Sequence, residues 1–161
     1  MVTLFFISIS IFIVYMSISM LFFGIPKSIS DTYYHWEDKG VDLEILFTSF
    51  IWGITFPLMV LWIEILPDDW NFIPFIASVS LLFVGTATAF KLPLTKEVHS
   101  ISAFIAGLAS YTWSFAYGSH YIVLITLALS LIGVFANKKN WLFWLELGLF
   151  LNMYVQLAIL L

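Results

Sequence analysis

The 161-residue sequence contains no cysteine and no arginine, and only 10% of its residues are charged. The absence of cysteine excludes disulfide bonds, thiolate metal sites and cysteine nucleophiles. Without arginine the chain lacks the side chain that holds phosphate and carboxylate groups through two parallel hydrogen bonds. All six basic residues are lysines. They form no basic patch of the kind that binds nucleic acid, so we expect no nucleic-acid partner.

Apolar residues take the place of the missing charges. They make up 62% of the chain, and the mean hydropathy is +1.04. A soluble domain usually carries about 25% charged residues, and one of this size leaves much of its surface exposed to solvent. We therefore predict an all-α, polytopic integral membrane protein, and we expect residues 1–161 to form a single transmembrane domain.

Long apolar runs divide the chain into segments of about 20 residues, the length that an α-helix needs to cross the hydrocarbon core. They predict a six-transmembrane-helix bundle with spans at about 4–23, 43–66, 72–90, 98–117, 119–136 and 141–161. No lysine precedes the first run and no Ala-x-Ala sequence follows it. We therefore interpret it as a retained span and not as a signal peptide.

The lysines lie in alternate loops of this arrangement, at Lys27 and Lys39, at Lys91 and Lys96, and at Lys138 and Lys139. Lysine and arginine near the ends of spans mark cytoplasmic loops. The polar segment 24–42 is accordingly predicted to be a cytoplasmic loop, with both termini outside. The pattern predicts a multi-pass protein with these loops in the cytoplasm, and we expect its location to be the bacterial cytoplasmic (inner) membrane.

Small residues recur at a spacing of four in the span at 98–117, as Ala103 with Gly107 and Ala106 with Ser110. Small side chains let helix backbones approach closely in lipid. We interpret these pairs as packing faces, either within the bundle or in a homo-oligomer.

A candidate site lies at the cytoplasmic ends of the spans. Asp31 and His35 share a helix face if the first loop is helical, and His99 opens the fourth span on the same side. These three side chains would form the metal site if one existed, but a solvated loop with a helix cap is the more common arrangement. We therefore expect no metal and no cofactor. Ser28 and Ser30, together with His35, are candidate contacts for lipid or substrate.

A second set of polar residues lies in the last span, where Glu146, Asn152 and Gln156 fall within about 120° of one another and share a helix face. Glu146 is too deep to be freely solvated and needs a partner, for which the candidates are Lys91, His99 and Lys138. One interpretation of the set is a hydrogen-bond network that packs the helices. The functional interpretation is a proton or cation site, or a base formed by Glu146 acting with His99.

Several stretches resemble known proteins: Ile-Pro-Lys-Ser-Ile-Ser-Asp-Thr-Tyr-Tyr at 25–34, Phe-Val-Gly at 83–85, Val-His-Ser-Ile-Ser-Ala at 98–103 and Trp-Leu-Phe-Trp-Leu-Glu at 141–146. They resemble uncharacterised small six-span membrane proteins of gut Bacteroidales and their phages. The Ile-Ser-Asp-Thr sequence and the His-x-x-x-Ala sequence also look like the DRAM/Frag superfamily, which includes a eukaryotic relative in GPI-anchor lipid remodelling. That resemblance implies Ser30, Asp31 and His99 as distinctive positions, with no reaction attached. The loop is thought to face the lumen in the eukaryotic relatives, whereas the lysines place it in the cytoplasm here.

Two functional hypotheses follow. The first is a non-enzymatic membrane component that binds lipid or a protein partner, since packing faces are abundant and no complete catalytic set is present. The alternative is a membrane-embedded lipid-modifying enzyme or hydrolase, with Asp31, His99 and Glu146 as catalytic residues. A small transporter is a third hypothesis, which only Glu146 supports. The expected partners are membrane lipid and a second copy of the chain.

Overall fold

The computed structural model describes residues 1–37, 43–65, 68–87 and 94–161, and no strand occurs among them. The predicted all-α class is therefore confirmed. Short 3₁₀ turns lie at Asp68–Trp70 and Lys138–Asn140. The helices are α1 (Val2–Phe23), α2 (Thr32–Glu37), α3 (Leu43–Ile65), α4 (Phe72–Thr86), α5 (Leu94–Tyr117), α6 (His120–Ala136) and α7 (Trp141–Leu160).

Three stretches of these helices are long and apolar enough to cross a membrane: Val2–Phe23, Ile45–Ile65 and Lys138–Leu160. Two further apolar helices are shorter, with 15 residues in α4 and 17 in α6. Spanning helices contain about 17–25 residues, so α6 lies at the lower end of that range and α4 below it. The predicted span at 72–90 ends outside the described residues. The six-span arrangement stays a prediction.

The long helices form a ring in which each packs on the next. α1 packs on α3, α3 on α4, α4 on α5, and α5 on α7, which touches α1 and closes the ring. α6 lies outside this ring, mainly against α7. The order differs from the order in sequence because α7, the last helix, inserts between α1 and α5. As a result the last helix, α7, contacts the first helix, α1.

Aromatic side chains fill the interior of the ring. The rings of Tyr15 and Phe50 stack with centroids 3.8 Å apart, and Phe12 lies 4.9 Å from Phe150. Trp62 and Trp113 are fully buried with centroids 5.6 Å apart. The outer surface is also apolar, with many large exposed side chains. A surface of this kind matches lipid better than water.

Polar side chains in the interior bond to neighbouring helices. The Ser8 hydroxyl donates to the Ile54 carbonyl at 3.0 Å and lies 2.8 Å from the Tyr154 hydroxyl. The Asn152 amide donates to the Ser114 hydroxyl at 2.8 Å. A buried polar group without a partner costs free energy, so these bonds favour one register of α7 against α1, α3 and α5.

Small residues permit the closest helix contacts, as the sequence pattern predicts for α5, where Ala106 and Ser110 are buried. The tightest contact lies elsewhere, between α6 and α7. A Cβ atom at Gly148 would overlap the Ser130 hydroxyl and approach the Ser130 Cβ to 2.8 Å. At Gly53 a Cβ would meet only Ile11, at 3.4 Å, which is an ordinary contact.

We predict that Gly148→Ala lowers the stability of the folded protein by about 1–3 kcal/mol, the usual cost of overpacking a tight interior. Gly53→Ala is the matched control, because it makes the same change in another helix without a clash. Thermal unfolding of both variants in one detergent measures the difference. A Gly148→Ala protein as stable as the Gly53→Ala protein would contradict the close contact between α6 and α7.

Candidate functional site

The segment between α1 and α2 folds back over the start of α7. α1 ends at Gly24, whose φ of +74° lies in the left-handed region that side-chain-bearing residues rarely adopt. The chain reverses there, and residues 25–31, which we call the docked loop, run along the first turns of α7. Gly24 therefore sets the direction in which the docked loop leaves α1.

Three hydrogen bonds hold the docked loop on α7. The Asn140 side-chain amide donates to the Ile25 carbonyl at 2.6 Å. The Phe143 N–H donates to the Lys27 carbonyl at 3.0 Å, which satisfies one of the N–H groups that the first turn of a helix leaves without a partner. The Ile29 N–H donates to Glu146 Oε2 at 2.5 Å. Together these bonds position the docked loop at the end of the ring.

Polar side chains within the docked loop mostly bond to one another. The Asp31 N–H donates to the Ser28 hydroxyl at 3.0 Å, and the Ser28 and Ser30 hydroxyls lie 2.9 Å apart. Asp31 Oδ2 accepts the Lys27 N–H at 3.3 Å and lies 3.7 Å from His35 Nε2. Asp31 and His35 thus share a face, as their spacing predicts. These contacts link Asp31 to the Lys27 backbone and to His35 on α2, so both side chains help to fix the conformation of the docked loop.

A partly open cavity of about 80 Å³ lies beneath the docked loop, among α3, α4, α5 and α7. Its wall is mainly apolar and includes Phe47, Leu81, Ala103 and Phe150. Three polar residues complete the lining: Ser30, His99 and Glu146. A water molecule needs roughly 10–15 Å³ of such space. The cavity therefore has room for several waters or for part of a larger apolar ligand.

The hydrogen bond of His99 determines which of its ring nitrogens can accept a proton. His99 Nδ1 lies 3.3 Å from the Val84 carbonyl oxygen. Since a carbonyl oxygen can only accept, Nδ1 carries the hydrogen in this bond. In a neutral ring Nε2 is then the acceptor. His99 thus contributes a hydrogen-bond acceptor to the site.

Glu146 has a partner that the sequence did not suggest. We considered Lys91, His99 and Lys138, but the described partner is the backbone N–H of Ile29. Lys138 is exposed and makes no ion pair with Glu146 within the described part of the chain. Lys91 lies outside the described residues, while His99 lines the same cavity.

The structure separates the candidate residues into two groups. Ser30, His99 and Glu146 meet at the cavity, whereas Asp31, His35 and Ser28 do not line it. Over residues 1–37, 43–65, 68–87 and 94–161, no three His, Cys, Asp or Glu side chains are placed to hold a metal ion. The metal site considered from the sequence, with Asp31, His35 and His99, is therefore not assembled here.

The remaining polar residues of α7 have packing roles. Asn152 bonds to Ser114 on α5, and its Oδ1 accepts the Thr126 hydroxyl of α6 at 3.3 Å. Gln156 bonds twice to the backbone of Ser119, at 2.8 and 2.9 Å. Asn152 and Gln156 therefore bond α7 to α5, to α6 and to the turn before α6. Asn140 was missed in the sequence. It precedes α7, but its side chain makes no cap hydrogen bond and donates instead to the Ile25 carbonyl, a contact that a cap signal does not predict.

Comparison with protein-family models, curated proteins and solved structures finds no match to this chain. The resemblance to small Bacteroidales membrane proteins and to the DRAM/Frag superfamily therefore stays a prediction. The chemistry of the site has to be inferred from its own geometry.

We predict that Glu146→Ala releases the docked loop, because the Ile29 N–H loses its acceptor. A hydrogen bond to a charged group contributes about 1.5–3 kcal/mol, so amide exchange in the peptide containing Ile29 should accelerate roughly 10–100-fold. Hydrogen exchange followed by mass spectrometry measures this rate. Glu146→Gln keeps an acceptor oxygen without the charge and should accelerate exchange less than Glu146→Ala does, whereas Glu64→Ala on α3 should stay close to wild type. Unchanged exchange in Glu146→Ala would contradict the role of Glu146.

Proposed function

We propose that this chain is a six-span helical bundle of the bacterial cytoplasmic membrane that binds a membrane lipid in the cavity beneath the docked loop. The observation that carries this proposal is the lining of the cavity, in which an apolar wall meets a small polar group at the end of the bundle. A membrane lipid combines the same two parts, an apolar chain and a polar head group.

The grouping of the described loops supports six spans. At one end, the docked loop meets the turn before α7 through Asn140, and the start of α5 meets the last turns of α4 through His99 and Val84. At the other end, Trp70 lies 5.8 Å from Tyr117, and Ser119 bonds to Gln156. Successive long helices therefore run in opposite directions, as they do in a multi-pass protein.

Lysine placement supports the sidedness of this arrangement. The cavity end carries Lys27 on the docked loop and Lys138 and Lys139 before α7. Lysines near span ends favour the cytoplasmic side. The cavity would then open near the inner leaflet, with both termini on the outer side.

One observation favours the alternative, a lipid-modifying enzyme or hydrolase. His99 and Glu146 line the same cavity, and the free acceptor nitrogen of His99 is the kind of group that acts as a general base. The Ser30 hydroxyl, however, is bonded to Ser28, and Asp31 does not line the cavity. A binding protein needs only the groups that are present, so we retain it as the conclusion.

We predict that the two ends of α6 lie on opposite sides of the membrane. The chain has no cysteine, so His120→Cys and Lys138→Cys each introduce a single reactive thiol at an exposed position. A membrane-impermeant maleimide should label His120→Cys in intact cells and Lys138→Cys only after permeabilisation. Labelling of both from the same side would show that α6 does not span and would overturn the six-span proposal.

We also predict that Ala103→Phe fills the cavity and reduces the fraction of purified protein that retains lipid by about tenfold or more, equal to about 1.4 kcal/mol of binding free energy. Ala116→Phe is the control, because Ala116 is exposed on the same helix. Native mass spectrometry from detergent measures the retained fraction, and thermal unfolding checks that both variants fold. Equal retention in two folded variants would contradict lipid binding in the cavity.

A further inference from the structure

The three polar residues of the cavity offer mainly hydrogen-bond acceptors. His99 uses Nδ1–H on the Val84 carbonyl, which leaves Nε2 as an acceptor in the neutral ring. Glu146 uses Oε2 on the Ile29 N–H, and a carboxylate has further acceptor positions on both oxygens. The Ser30 hydroxyl can accept as well as donate. A ligand that matches this set has to bring several donors.

The charges at the cavity also favour a ligand that carries a positive group. Glu146 lies on α7 with no cationic partner among the described residues. Glu146 is half-buried, and a carboxylate that is partly removed from water is stabilised by a positive group beside it. No lysine with a described side chain lines the cavity, and a cationic ligand would supply the positive charge that the described lining does not.

The geometry points to a primary ammonium group as the part of the ligand that binds beside Glu146, His99 and Ser30, with an apolar chain against the wall of the cavity. This inference rests on the proposed lipid-binding function and adds the chemical class of the head group. An ammonium group has three N–H donors and one positive charge. It therefore meets both requirements of the site, which an anionic or uncharged head group does not.

The number of donors can be tested with a series of lipids that share the same acyl chains. We would titrate the purified protein with phosphatidylethanolamine, its N-methyl and N,N-dimethyl derivatives, phosphatidylcholine and phosphatidylglycerol, and measure each affinity by native mass spectrometry. Affinity should fall with each methyl group added. It should be at least about tenfold weaker for phosphatidylcholine and phosphatidylglycerol, comparable to the loss of a hydrogen bond to a charged group.

Glu146→Gln tests the role of the carboxylate without removing the acceptor for Ile29. We expect this variant to lose the preference for phosphatidylethanolamine while it still binds the other lipids as wild type does. Glu64→Gln removes a carboxylate from an exposed position on α3 and should keep the preference. A Glu146→Gln protein with the wild-type preference would overturn the inference.

The remaining outcomes separate this inference from the proposed function. Equal affinity for all five lipids would overturn the ammonium site and leave lipid binding intact, whereas no lipid binding would overturn both. Binding of ethanolamine without lipid would support the ammonium site and assign it to a water-soluble amine. If Lys91→Gln had the same effect as Glu146→Gln, the chain's own lysine would be the partner, and the inference would be overturned.

Discussion

The interior of this protein depends on one constraint, that polar groups removed from water need partners within the chain. α7 meets the constraint for much of the bundle. Its polar residues bond in turn to the docked loop through Glu146, to α5 and α6 through Asn152, and to the turn before α6 through Gln156. Each bond is lost if α7 slides or rotates. Hydrogen bonds between helices add directional contacts to close packing, so these bonds favour one register of the ring.

The same constraint accounts for the candidate site. The first turn of α7 has N–H groups that no helical carbonyl can accept from. The docked loop supplies an acceptor for one of them, because the Phe143 N–H donates to the Lys27 carbonyl. Glu146 adds a carboxylate beneath the loop, where part of its accepting capacity remains unused. The cavity beside it is therefore one place in the described structure where packing leaves polar capacity open. A ligand with donors and an apolar chain would complete the site.

Helical periodicity and hydropathy were sufficient to predict the all-α class and the approximate bounds of the long helices. They also predicted the Asp31–His35 pair and the shared face of Glu146, Asn152 and Gln156, because both depend only on spacing within one helix. The partner of Glu146 could not be predicted, since it is a backbone N–H and every residue except proline has one.

Contacts between distant segments could not be predicted from the sequence pattern either. In α1, for example, Ser8 and Ser19 are buried while Ser10 and Ser17 are exposed. Which face of an almost uniformly apolar helix turns inward depends on its neighbours. The insertion of α7 between α1 and α5 likewise brings together side chains that are distant in sequence, such as Ser8 with Tyr154 and Ser114 with Asn152.

The central claim is that Glu146 holds the docked loop over the cavity. The most direct test is a solid-state NMR distance in lipid bilayers between the Ile29 amide nitrogen and the Glu146 carboxyl carbon. The account predicts a separation below about 4 Å, as the geometry of an N–H···O bond requires. A separation well beyond that value in the folded protein would contradict the docked loop and the cavity site that depends on it.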